Sequence, residues 1–161
     1  MKNTQTTTSS RSKSNRQSGL VTVEFALIGG LFFLILFGII EFGRLLFTWN
    51  TLDEVTRRAA RLAAVCPMDQ TASVANSAVF NGTILTNLNA ANVNIEYLDE
   101  NFASTTTLEE VRYVRTGIQN YQHQMIVPLL PIDVLTAPPF TTTLPSESLG
   151  ITDSASWNVQ C

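Results

Sequence analysis

From Phe25 to Ile40 the chain reads FALIGGLFFLILFGII, 16 residues without a charged or polar side chain. At about 1.5 Å per residue this run alone is short of a ~30 Å hydrocarbon core, but counting from Leu20 gives 21 residues, enough to cross it. The run is apolar all round and contains Gly29, Gly30 and Gly38, which soluble helices disfavour, so it predicts a transmembrane helix over 20–41 and not the buried helix of a soluble protein. After Glu41 the pattern changes in kind without ending. Leu45, Trp49, Leu52, Val55, Ala59, Leu62 and Cys66 recur at three- and four-residue spacing, the mark of one helical face. The other face is charged, with Asp53–Arg57 and Glu54–Arg58 as acid-before-base pairs worth about 0.3–0.5 kcal/mol each. Trp49 fits the headgroup layer. No proline occurs before Pro67, so an amphipathic extension over 42–66 makes a single helix of roughly 45 residues, roughly 65–70 Å long.

Residues 67–161 are the one candidate globular part. The stretch 69–80 has a Val74, Ala75, Ala78, Val79 face and predicts a short helix, closed by an Asn81-Gly82 turn. Val93 to Leu98 alternates apolar and polar, as does much of Glu110 to Val127, and the polar DENFASTTT between them reads as a loop joining two strands. Pro128, Pro131, Pro138 and Pro139 then interrupt the chain, leaving 140–144 and 155–159 as edge strands. The pattern predicts an α+β domain with three to four antiparallel strands behind a long N-terminal helix.

Ahead of the helix, residues 2–18 contain no large apolar side chain and cannot offset the entropy of ordering, so 1–19 reads as a disordered leader. Here charge changes the picture. A length of 161 residues excludes two large domains, and a net charge of −3 looks unremarkable. Yet Lys2, Arg11, Lys13 and Arg16 give the leader four positive charges and no negative one, while the remainder holds six basic and all thirteen acidic side chains, a net of −7. Parts of opposite sign meeting at an apolar run suit a chain that straddles a membrane, with the leader in the cytoplasm by the positive-inside rule, and give no reason to expect nucleic-acid binding.

The leader meets the helix at Gly19-Leu20-Val-Thr-Val-Glu24-Phe25. A carboxylate inside a span costs at least ~2.5–3.5 kcal/mol, so Glu24 asks for a partner or a function. A cut after Gly19 would free an amine at Leu20, protonated below a pH of about 7.7–8, which Glu24 of an adjacent copy could engage to set the axial register of stacked helices. A carboxylate that merely snorkels to the headgroups is the plainer alternative.

G-x-x-x-x-E-F ahead of an apolar helix resembles the prepilin-peptidase site of the type IV pilin superfamily. The continuation resembles the TadE-like family of pseudopilins or minor pilins of the tight-adherence (Flp) system. Val23-Glu24-Phe25-Ala26-Leu27, then Phe37 to Arg44 (FGIIEFGR), then Arg57 to Ala64 (RRAARLAA) carry the likeness, within 48 of the 161 residues. The resemblance implies a single-pass inner-membrane protein of bacteria, cut by a prepilin peptidase between Gly19 and Leu20. It also implies partnership with other pilins and the assembly platform of an adhesive pilus or related secretion apparatus, with the outer domain extracytoplasmic and the protein either entering the filament or only priming its assembly. The competing reading is an unprocessed membrane-anchored domain that binds or senses something outside.

Five further residues are singled out. Glu41 and Arg44, i and i+3 at the outer end of the span, form an interfacial ion pair or an inter-subunit contact. Cys66 and Cys161 are the only cysteines and both fall on the oxidising side, which favours a disulfide over two buried thiols or an intermolecular bridge. His123, the only histidine, lies on an expected strand without a second ligand at metal spacing. No nucleophile motif, phosphate loop or paired-carboxylate arrangement is evident, so neither an enzyme, a cofactor nor a small-molecule substrate is expected. A secretory signal would need a small-x-small cut just after the apolar run, and Glu41 to Trp49 offers none.

Overall fold

The computed structural model describes residues 17–85, 87–126, 134–151 and 161. It is α+β: a long N-terminal helix, α1 (Gln17–Val65), precedes a shorter helix α2 (Thr71–Ala78) and five strands, β1 (Val93–Leu98), β2 (Tyr113–Ile118), β3 (Gln122–Gln124), β4 (Val134–Thr136) and β5 (Thr141–Pro145). Two compact units divide the chain, Met1–Gly38 and Ile39–Cys161. Residues 1–16 of the leader expected over 1–19, and the expected strand over 155–159, lie outside the described residues.

In the first unit α1 begins at Gln17, two residues ahead of Gly19, so the helix takes up the last residues assigned to the leader. Extending a formed helix by one residue costs far less than starting one, and neither Gln17 nor Ser18 is a breaker. The side chains from Leu20 to Ile35 that are large and apolar are all exposed. Among the described residues α1 is the one helix long and apolar enough to cross a membrane, and none of its most apolar stretch is buried.

The second unit is built on the remainder of α1. Its buried stripe runs through Glu41, Leu45, Thr48, Leu52, Val55, Ala59 and Ala63 to Cys66 just past its end, at steps of four or three residues. Trp49 and Leu62 are half-buried at its margins, and Trp49, expected at the headgroup layer, packs against the core cluster that includes Leu52 and Val79. Asp53 pairs with Arg57 at 2.8 Å, whereas Arg58 lies over the Phe80 ring, 4.3 Å from its centroid. The last two turns bury Ala59, Ala60, Ala63 and Ala64, small enough to let the sheet approach.

That sheet is antiparallel in the order β1-β2-β5, with Tyr97 opposite Val114 and Val114 opposite Leu144. Period-2 alternation turns Val114, Thr116 and Ile118 inward. Thr116 Oγ1 donates to Thr56 O (2.7 Å), and the Thr56 and Thr142 hydroxyls meet at 2.9 Å, so the threonines between helix and sheet are paired. One core cluster joins Leu52, Val55 and Ala59 to α2 and to Val93 and Ile118, while a second joins Ala63, Cys66 and Val74 to Tyr97 and Val114.

Among the described residues there are five strands, against the expected three to four. The alternating stretch 110–127 is two strands, because Asn120 turns left-handed (φ +55°) and sends β3 into a separate two-stranded sheet with β4. Three residues are too few for β4 to display a period. The helix expected over 69–80 is a 3-10 turn, Met68–Gln70, leading into α2, and Phe80, Asn81 and Gly82 close it with positive φ. At the other end of α1 the chain returns to cap it: Glu147 and Leu149 N–H donate to Ala64 O and Gly150 N–H to Val65 O (2.7 Å). Gly150 sits at φ +82° with its α-carbon against the Pro67 ring, where a Cβ would collide.

Candidate functional site

The first candidate is the junction on α1. Gly19, Leu20, Glu24 and Phe25 fall in its opening turns, and Leu20, Glu24 and Phe25 are exposed. Leu20 and Glu24 are i and i+4, so the carboxylate lies about one turn, ~6 Å, along the same side of the helix as the Leu20 amide. A Cβ added at Gly19 would meet nothing within 4 Å. Local packing gives no reason for a glycine there, although glycine in a helix costs about 1 kcal/mol relative to alanine.

The second candidate lies wholly in the globular unit. Glu41 opens the buried stripe of α1, and a carboxylate in that position must find donors or suffer the cost of desolvation. It finds two. Arg44 Nη1 donates to Oε1 at 2.7 Å, and the Ile126 N–H donates to Oε2 at 3.3 Å. His123, buried on β3, faces the same carboxylate with Nε2 3.7 Å from Oε1, too long for a hydrogen bond but within ion-pair reach of a protonated ring. Its Nδ1 is 3.3 Å from Thr48 Oγ1, which also lies 3.0 Å from the Arg44 carbonyl. Because the Thr48 hydroxyl donates its one proton to the Arg44 carbonyl, its oxygen is left to accept from Nδ1–H of His123. Tyr121, next along, is buried, and burial raises its phenol pKa against the opposing effect of the Arg44 charge.

The expected pair Glu41–Arg44 is therefore present as a contact within one chain, and it is part of something larger. His123 and Ile126 join it from 82 and 85 residues away, ties that sequence spacing does not display. The legible signal was a carboxylate on the buried face of a helix: Glu41 stands four residues before Leu45, in step with the stripe. Among the described residues no three His, Cys, Asp or Glu side chains are grouped to hold a metal ion.

Cys66 and Cys161 are bonded to each other, with Cα–Cα 6.1 Å across a separation of 95 residues. Cys161 N–H donates to Gln70 Oε1 at 2.8 Å, adding a second tie to the turn after α1.

No curated protein and no solved structure matched the chain. One family model did, over residues 19–61, beginning on the glycine of the junction and taking in both Glu24 and Glu41. Residues 19–61, within the long helix, are thus similar to the TadE-like protein family.

Proposed function

We propose that this protein is a pseudopilin or minor pilin of a tight-adherence pilus, cut by a prepilin peptidase after Gly19 and needed for assembly of the filament or a related secretion apparatus. The observation that carries the reading is the start of the TadE-like match at Gly19, immediately ahead of the apolar stretch of α1. A glycine for which local packing gives no reason is consistent with recognition by a protease. In this account the cationic leader stays in the cytoplasm, 20–41 spans the inner membrane, and the globular unit lies outside it. The bond between Cys66 and Cys161 suits that oxidising side. The role is structural and not enzymatic: the helix packs against other pilin helices, with the amine freed at Leu20 engaging Glu24 of a neighbouring copy.

The test is complementation of a deletion strain with Glu24→Ala. The variant should still be cut, because the scissile Gly19–Leu20 bond is untouched, and should fail to restore pilus yield. Normal piliation would reduce Glu24 to a carboxylate that reaches the headgroups and does nothing more.

A further inference from the structure

Beyond its anchor, the globular unit carries a group of exposed apolar side chains that its own fold does not cover. Phe47 on α1 is 57% exposed, Ile84 in the loop after α2 43%, and Ile126 beyond β3 70%. These three come from separate elements and line one cleft of about 430 Å³, together with Met125, Tyr121 and Arg44. No carboxylate is among the residues lining it, although the chain beyond the leader carries a net −7. The acidic side chains gather elsewhere, as at the 99–112 loop with Asp99, Glu100, Glu109 and Glu110. Phe102, an exposed aromatic on that loop, has its own partner in Tyr113, stacked at 4.6 Å.

The Glu41 contacts fix the level of this surface along the helix. The Ile126 N–H bonds to Glu41, the residue next to Ile40, where the uncharged run ends. Ile126 is therefore held at the height at which the apolar part of α1 gives way to the polar part. Phe47 lies six residues further on, ~9 Å along the axis, a rise comparable with the depth of a headgroup layer. An apolar rim around an arginine that is paired with Glu41 yet 38% exposed, with no carboxylate lining the cleft itself, is a composition that lipid headgroups accept: apolar groups reach the acyl boundary and the free edge of the guanidinium meets phosphate.

We propose that this face is a lipid-contact surface: Ile84 and Ile126 dip into the outer leaflet beside Phe47, with Arg44 at the phosphates, so that the globular unit rests on the bilayer. The proposal rests on the reading of α1 as a membrane anchor. The partner is the phospholipid surface, held by insertion of side chains and not by a pocket for one lipid.

Nitroxide labels on the full chain, reconstituted in phosphatidylcholine–phosphatidylglycerol vesicles, test it through collision with oxygen against a nickel chelate. Single variants Ile126→Cys and Ile84→Cys carry the question, Phe102→Cys gives the aqueous reference and Phe33→Cys the span. Two exposed positions on separate elements guard against one variant misfolding. Labels at 126 and 84 should show an oxygen-to-nickel ratio several-fold above that at 102 and approaching that at 33. A lipid signal at 33 with aqueous signals at 126 and 84 would overturn the contact surface and leave the anchor standing. Shielding at 126 and 84 from both reagents would also overturn it, since a protein would then cover the face. An aqueous signal at 33 would remove the anchor itself and the proposal with it.

Discussion

Glu41 is the residue on which most of the globular unit's polar order at the start of the stripe depends. Its carboxylate answers the Arg44 guanidinium and the Ile126 amide together, and hydrogen bonds to a charged group are worth about 1.5–3 kcal/mol each way they are removed. Glu41→Ala should lower the stability of the unit by about 2 kcal/mol in a thermal melt, and Glu41→Gln by less, because the amide oxygen still accepts. Tyr97 behaves oppositely. Its hydroxyl is buried without a hydrogen-bond partner, and burial, followed by the Asp69 charge, raises its pKa above 10.0. Below pH 10 the phenol is neutral whether the chain is folded or not; above it the unfolded chain loses the proton first, so stability falls as pH rises toward the folded value. Tyr97→Phe should leave stability at pH 7 unchanged or higher and lessen the alkaline loss, as denaturant titrations at the two pH values would measure. Glu41 could be read from sequence as an ion pair with Arg44 because the two are one turn apart. Its other partners could not, because His123 sits on a strand of three residues, too short to show which way its side chain points.

At the level of elements, α1 was legible almost from end to end because its signals are long: an apolar run, then a stripe repeating over seven turns. The strands divided by length. Val93 to Leu98 shows its alternation over six residues and was read at those bounds, whereas β4 and the break at Asn120 gave no pattern to read. The cap on α1 from 147–150 was hidden for another reason, since backbone-to-backbone bonds carry no side-chain signature. The disulfide secures the same end of the helix. It closes a loop of 95 residues, which the chain-entropy model values at about 4 to 5 kcal/mol. Reduction, or Cys66→Ser, should therefore lower the melting temperature of the globular unit while leaving the helical signal of the apolar stretch in place, since that stretch makes no use of the bond. Equal melting with and without reductant would remove the disulfide from the account of stability.

For the molecule as a whole, charge separates what is delivered from what delivers it. In the proposed function the leader's four positive charges would bias orientation during insertion, and their removal would leave a chain with a side-chain net of −7 and one new amine at Leu20. The TadE-like match runs from Gly19 to Arg61 within α1, so the likeness describes the apolar stretch and the start of the globular unit, Glu41 and Arg44 included. Orientation, processing and assembly all turn on one bond. The most direct measurement is the N-terminal sequence of the protein recovered from the membrane fraction of cells with and without their prepilin peptidase. The account predicts a start at Leu20 in the first and at Met1 in the second; a start at Met1 in both would contradict it and leave an anchored domain that is never processed.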